Sequence, residues 1–197
     1  LLWRDTNGLR TRLFNSDGSE PEIYGNGTRC AAAYALWTGS ADGTRVIITT
    51  AAGPKTLILQ RQKANHFLFE MDMGLPVYSK DEIRTPLKLA SGIFDATLLN
   101  VGNPQCAIFV NTLPETWRTT AAEVEGDPRF PRRTNVSFVR VLDRHHIEAV
   151  FYERGAGETR SSGTGSTGAA AAAILRGEAE SSVIVHTPAG ELSVRWD

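Results

Sequence analysis

The 197-residue sequence predicts an α+β protein of two pseudo-symmetric lobes, each a curved mixed β-sheet wrapped around a central Ala-rich helix. The first observation behind this is an internal repeat: Tyr24–Gly39 aligns without a gap on Ser162–Gly177, so that Gly25 falls on Gly163, Gly27 on Gly165, Ala31 on Ala169 and Gly39 on Gly177. The second is that the likeness extends beyond the helix, since Val46–Gly53 resembles Val183–Gly190 with one residue of slippage. A unit present only twice argues for paired lobes rather than a solenoid, which needs three or more stacked units. The third is that helices are few and strands many, each helix embedded among strands, which is the α+β pattern. The lobes are expected at 1–85 and 86–197.

Taken in order, Arg10–Asn15 alternates as a strand does and runs into the turn Ser16–Ser19. An Ala-rich helix starts near Asn26 and ends before Gly39, the residue type expected just past a helix C-terminus. It is apolar nearly all round, which predicts a buried helix. Strands follow at 45–51, 55–62 and 66–73, with one or two more in 84–101 and an apolar one at Cys106–Val110. Residues 114–125 read as a short helix ended by Gly126-Asp-Pro. Strands at 135–142 and 145–153 then lead to a Gly-rich turn, a helix over 164–176, and strands at 182–187 and 191–196. The chain opens on Leu-Leu-Trp-Arg without a capping or turn signal, as expected of a chain whose N-terminal part is absent.

Composition narrows the function. Hydrophobic residues at 41% and charged residues at 22% are ordinary for a soluble globular chain. A net charge of -1 gives no electrostatic reason to expect nucleic acid or an anionic membrane as partner. The sequence has no bilayer-length apolar run and no signal-peptide pattern, and its two cysteines, Cys30 and Cys106, suit a reducing compartment. Together these predict a cytoplasmic protein. His66, His145, His146 and His186 lack metal-ligand spacing, so no metal is expected. Gly163-Thr-Gly-Ser-Thr-Gly168 matches the dinucleotide fingerprint, but the repeated parallel βαβ units of a nucleotide-binding sheet are missing after it.

Both Ala-rich helices begin in X-Gly-[Asn/Thr]-Gly. The first N–H groups of a helix lack internal partners and carry partial positive charge, so a carboxylate or phosphate is favoured there. Tyr24 and Ser162 precede the two glycine pairs, and in paired lobes they would flank one ligand in a cleft. Asn15 lies nine residues before Tyr24, and Glu153 nine before Ser162. These polar residues therefore occupy equivalent places, where each strand delivers the chain to its turn.

Five separated motifs, in order across nearly the whole chain, resemble the diaminopimelate epimerase family. They are Asn15-Ser-Asp-Gly-Ser-Glu, Gly25-Asn-Gly-Thr-Arg-Cys30, Gly102-Asn-Pro104, Thr134-Asn135, and Glu153-Arg-Gly-Ala-Gly-Glu-Thr159 followed by Ser162-Gly-Thr-Gly165. The resemblance implies two pseudo-symmetric lobes and inversion of an amino-acid α-carbon without pyridoxal phosphate, metal or other cofactor, one cysteine removing the proton and another returning it. It implies that Asn15, Asn103, Asn135, Glu153 and Arg154 hold the substrate, LL- or meso-diaminopimelate in lysine and cell-wall precursor biosynthesis. Gly25 and Asn26, with Gly163 and Thr164, would cradle carboxylate at the helix starts. Gln105 departs from the family's Asn-Pro-His.

At the positions of the family's two cysteines this sequence has Tyr24 and Ser162. A thiol titrates near 8.5 and falls further at a helix N-terminus, a tyrosine starts near 10, and a serine hydroxyl needs a base beside it. A two-thiol reaction is therefore not open to this chain as written. Three readings follow: an isomerase of altered chemistry using Tyr24, a catalytically silent binder of an amino acid or small dicarboxylate, or engineered replacement of one or both positions. The resemblance also allows a homodimer.

Overall fold

The computed structural model describes residues 1–6, 8–15 and 18–197. They divide into two compact units, Leu1–Gly74 and Leu75–Asp197. The break falls earlier than the expected 85/86 boundary because Val77 already bridges to Asn100 within the second unit, and the strands that follow belong to its sheet.

The first unit holds β1 (Leu2–Asp5), β2 (Gly8–Thr11), α1 (Gly25–Trp37), β3 (Arg45–Thr50), β4 (Gly53–Lys63) and β5 (His66–Met71). Its sheet runs in the order β1-β2-β3-β4-β5, antiparallel except for the parallel pair β2·β3. The second unit holds a single 3-10 turn (Lys80–Glu82), β6 (Thr85–Leu89), β7 (Gly92–Asn100), β8 (Pro104–Phe109), α2 (Trp117–Glu125), β9 (Asn135–Val141), β10 (His146–Glu153), β11 (Gly157–Thr159), α3 (Gly163–Leu175), β12 (Val183–Thr187) and β13 (Gly190–Val194). Its sheet runs β13-β12-β10-β9-β8-β7-β6, with β11 folded back on β10.

The repeat is one of topology as well as sequence. In each unit an antiparallel pair (β1·β2, β9·β10) leads into the Ala-rich helix, and the strand after the helix returns parallel to the second member of the pair. Leu9 lies opposite Ile48 in the first unit, and Ile147 opposite Val185 in the second. The following hairpins pair Thr50 with Gly53 and Thr187 with Gly190. The structure is thus α+β with two pseudo-symmetric units, each a mixed sheet packed on an Ala-rich helix.

In the second unit β8, β9 and β10 are covered on both faces. One face, with Ala107, Val139, Ile147, Ala149 and Phe151, packs on the alanines of α3. The other, with Cys106, Ile108, Val136 and Phe138, packs on Trp117, Ala121 and Val124 of α2. Strands covered on both sides must be apolar or small at successive positions, which is why Gln105–Ile108 and Asn135–Val139 are buried without interruption. α3 touches β7, β8, β9, β10, β12 and β13 and is buried over most of its length.

α1 is different. It was expected to be buried, but Tyr34 and Trp37 are 55% and 71% exposed, and Cys30 is exposed too. Among the described residues α1 packs chiefly on β3 and β5, and β1 is an edge strand, whereas its counterpart β9 has β8 beside it. The apolar circumference of α1 therefore meets fewer neighbours than that of α3.

Two further differences concern the N-terminal segment. The strand expected over 10–15 is β2, ending at Thr11, and β1 precedes it. The backbone N–H of Asn15 donates to the Ser19 carbonyl at 2.8 Å, so by Asn15 the chain is in a turn rather than a ladder. Of the turn itself, Ser16 and Asp17 lie outside the described residues.

Candidate functional site

β10 alternates outward and inward side chains, and its inward row is Ile147, Ala149, Phe151 and Glu153. The period of a strand thus carries a carboxyl group onto the face that packs on α3. The chain then turns back through Arg154-Gly-Ala156, with Gly155 and Gly157 at φ values of 73° and 76° that other residues rarely adopt. This tight hairpin brings β11 alongside, and Thr159 Oγ1 donates to Glu153 Oε1 at 2.7 Å.

From Thr159 the chain reaches Ser162, the N-cap of α3, held in extended backbone geometry. Its hydroxyl accepts from the Gly165 N–H at 3.0 Å and donates to Glu153 Oε2 at 3.0 Å. Ser162 is 3% exposed and Glu153 7%. Among the described residues Glu153 forms no ion pair. Burial pushes its carboxyl above the ordinary range, against the opposing pull of the bonds from Thr159 and Ser162.

The approach of α3 to β10 depends on Gly165. A Cβ there would lie 2.6 Å from Phe151 Cδ1 and 3.0 Å from Ser162 Cβ, closer than side chains pack. One turn on, a Cβ at Gly168 would lie 2.9 Å from Gln105 Cγ. Gln105 Nε2 in turn donates to Asn103 Oδ1 at 2.7 Å, and Asn103 Nδ2 makes a long contact of 3.5 Å to Thr164 Oγ1. Asn135 ties the turn before β8 to the hairpin after β10, its Nδ2 donating to the Pro104 carbonyl and its Oδ1 accepting from the Arg154 N–H. The Arg154 guanidinium donates to the Arg132 carbonyl at 3.1 Å.

Asn103, Glu153, Ser162, Gly163 and Thr164 thus meet at the start of α3, while Asn135 braces the turn before β8 against the hairpin after β10 and the Arg154 guanidinium reaches the Arg132 carbonyl. In the first unit Tyr24, Gly25 and Asn26 form the start of α1. Tyr24 is a half-buried N-cap with backbone geometry close to that of Ser162, but its side chain makes no capping bond. A phenol hydroxyl stands too far from the backbone to take the N–H that serine takes. The Arg29 guanidinium donates to Asn26 Oδ1, and Asn15 Nδ2 donates to Ser19 Oγ at 3.0 Å within its own turn.

Neither cysteine is at a helix start. Cys106 is fully buried in β8 and its thiol is pushed up to about 12 by that burial, so it stays protonated and unreactive. Cys30 lies on the exposed side of α1. Sequence reasoning found no histidine for Ser162 and did not foresee that Glu153 is its hydrogen-bond partner. It also passed over Thr159 and treated Gln105 only as a departure from a motif. The paired glycines 155 and 157 were the available signal, since a hairpin there must fold Thr159 back toward Glu153.

A mixed sheet on an Ala-rich helix, built twice, with a buried serine–carboxyl pair at one helix start, defines an α+β protein of the epimerase and racemase fold class. The family profile described as diaminopimelate epimerase matches residues 3–79 and 97–197. The diaminopimelate epimerase of Moorella thermoacetica is 39% identical over 202 residues, covering 95% of this chain and 71% of its own length. That of Pelotomaculum thermopropionicum is 37% identical over 207 residues, covering 100% and 74%. Among solved structures, a hydroxyproline epimerase from Agrobacterium vitis with bound trans-4-hydroxy-L-proline aligns with a TM-score of 0.79 at 18% identity, over 99% of this chain and 65% of that one. A probable proline racemase from Agrobacterium radiobacter aligns at 0.78 and 16%, over 98% and 65%. The chain thus spans just under two thirds of those two structures, and at such identities they speak for the fold alone.

The chain belongs to the diaminopimelate epimerase family, a family of isomerases. Among the described residues no helix is long and apolar enough to cross a membrane.

Proposed function

We propose that this chain is a diaminopimelate epimerase-like isomerase that works on the α-carbon of diaminopimelate without pyridoxal phosphate or metal, in the cytoplasm, within lysine and cell-wall precursor biosynthesis. The observation that carries this reading is the cluster at the start of α3. Its first N–H groups, those of Gly163 and Thr164, have no intrahelical acceptor and suit a substrate carboxylate. Asn103, Asn135 and Glu153 add fixed polar groups around that point. Ser162 stands where the family resemblance implies a cysteine, and Tyr24 holds the corresponding place at α1.

A second reading is favoured by the thiols themselves: Cys106 is locked as a neutral buried thiol and Cys30 is on the exposed side of α1. On this reading the chain retains binding of an amino acid or small dicarboxylate but does not turn it over.

Calorimetric titration with LL-diaminopimelate, together with chiral chromatography of the reaction mixture, separates the two. Binding with formation of the meso isomer supports the isomerase. Binding without product supports the silent binder, in which case the double variant Tyr24→Cys, Ser162→Cys is expected to gain epimerisation. Absence of binding would remove diaminopimelate as the ligand.

A further inference from the structure

We infer that Gln105 is a positioning residue, which sets the direction of a buried hydrogen-bond chain from Gln105 through Asn103 to Thr164 so that the chain turns its donors toward the start of α3. The inference deepens the proposed function and rests on it for the ligand, whose carboxylate those donors would meet.

The period of the strand puts Gln105 where an apolar side chain is expected. Along β8, Cys106 and Ile108 pack toward α2 while Ala107 and Phe109 pack toward α3, so Gln105 lies on the α3 face. Gln105, Asn103 and Thr164 are all buried. A primary amide in such a place needs partners, because an unpaired buried polar group is costly. α3 makes room for it at Gly168, where a Cβ would lie 2.9 Å from Gln105 Cγ and 3.2 Å from its Cβ. The first carbons of the side chain thus run against bare helix backbone, and the amide reaches Asn103.

The turn that carries Asn103 is tied down by its own backbone. Gly102 turns the chain at a φ of 99°, its N–H donating to Asn100 Oδ1 at 2.8 Å, and the Val101 N–H donates to the Asn103 carbonyl at 3.2 Å. What remains to be set is which end of the Asn103 amide faces which neighbour. Gln105 Nε2 sets it by donating to Asn103 Oδ1 at 2.7 Å. With Oδ1 filled from behind, Asn103 Nδ2 is turned to Thr164 Oγ1 in a long contact of 3.5 Å, and Thr164 keeps its own hydroxyl hydrogen to donate forward. Ser162 Oγ, 3.4 Å from Thr164 Oγ1, has its hydrogen committed to Glu153.

Turning the Asn103 amide over would reverse the chain. Oδ1 would then face Thr164, draw its hydroxyl hydrogen backward and set acceptors against the ligand. A carboxylate only accepts, so the two directions differ in the sign of their contact with it. The Gln105 donor therefore decides whether this side of the α3 start favours an anion.

The test reads the side-chain amide signals of the ¹⁵N-labelled full chain by NMR, those of Asn103 assigned through their loss in Asn103→Leu, alongside calorimetric titration with LL-diaminopimelate. In the wild type the Asn103 amide protons are expected to exchange with water at least about tenfold more slowly than those of the exposed Asn111. Gln105→Met, which keeps the shape but cannot donate, is expected to shift and broaden the Asn103 signals and to weaken binding on the order of 10-fold. Gly168→Ala leaves every polar group in place but displaces Gln105, and is expected to move the same signals. If Gln105 only fills space, Gln105→Met keeps the wild-type signals and affinity whatever happens to its melting temperature, and the inference is overturned. Wild-type Asn103 exchange as fast as that of Asn111 overturns it too, without any variant. Failure of the wild type to bind LL-diaminopimelate overturns the ligand reading, and the Asn103 signals then still decide whether Gln105 positions the amide.

Discussion

Glu153 combines two properties that rarely coexist at the end of a strand: it is buried, and among the described residues it forms no ion pair. Taking a carboxylate out of water disfavours its charged form, and two hydroxyl donors offset that only in part. Its folded-state pKa therefore lies above the unfolded value. A raised carboxyl pKa contributes stability that is fully present below the unfolded value and is lost as pH rises through the folded one. Replacing Glu153 by Gln removes this titration. Thermal melts of wild type and Glu153→Gln, measured from pH 4 to pH 8, are thus expected to diverge in the variant's favour as pH rises through the window just above the ordinary carboxylate range. A constant difference across that range would show that Glu153 titrates alike in the folded and unfolded chains. Above the ordinary carboxylate range, the buried carboxyl of Glu153 therefore opposes stability.

At the scale of the helices, equivalent glycines of the repeat do different work. Gly165 admits Phe151, one of the largest fully buried side chains, and a Cβ would overlap its ring at 2.6 Å with no flexible end to yield. Gly27, its counterpart in α1, faces the terminal methyls of the half-buried Leu13 at 3.0 and 3.1 Å. Alanine gains up to about 1 kcal/mol over glycine inside a helix, whereas overpacking a rigid core costs about 1–3 kcal/mol. Chemical denaturation should therefore find Gly165→Ala destabilised by about 1–2 kcal/mol and Gly27→Ala within about 0.5 kcal/mol of wild type. Equal losses would mean that both positions are constrained by the backbone rather than by the side chain they meet. Glycine and alanine spacing is also what made both helices legible, to within a residue or two at each end. β1 was not legible, because Leu2-Trp3-Arg4-Asp5 does not alternate, nor was β11, which is only three residues long. The nine-residue spacing of Asn15 to Tyr24 and Glu153 to Ser162 revealed equivalence but not contact. In the second pair Ser162 donates to Glu153, because serine is short enough to cap its helix and still reach the carboxyl.

Over the whole molecule one topology is used twice with unequal covering. An Ala-rich helix reads as apolar all round whatever its neighbours, so the sequence predicts burial for both and cannot tell a helix wrapped by six strands from one resting chiefly on two. In the second unit α3 is enclosed by β7, β8, β9, β10, β12 and β13, and exposing its amides requires opening the Ala107–Phe151 core. In the first unit β1 is the sheet edge and the Cys30, Tyr34 and Trp37 side of α1 is exposed, so opening α1 disrupts only the smaller cluster around Leu9, Ala32, Val46, Ile48 and Leu57. Local stability follows the apolar contacts that opening would break. Hydrogen exchange followed by mass spectrometry is therefore expected to show peptides covering α3 exchanging at least about tenfold more slowly than those covering α1. Matching protection of the two helices would mean that the Tyr34 and Trp37 face of α1 is covered in solution. Slower exchange in α3 places the Ser162–Glu153 hydrogen bond on the better-protected helix.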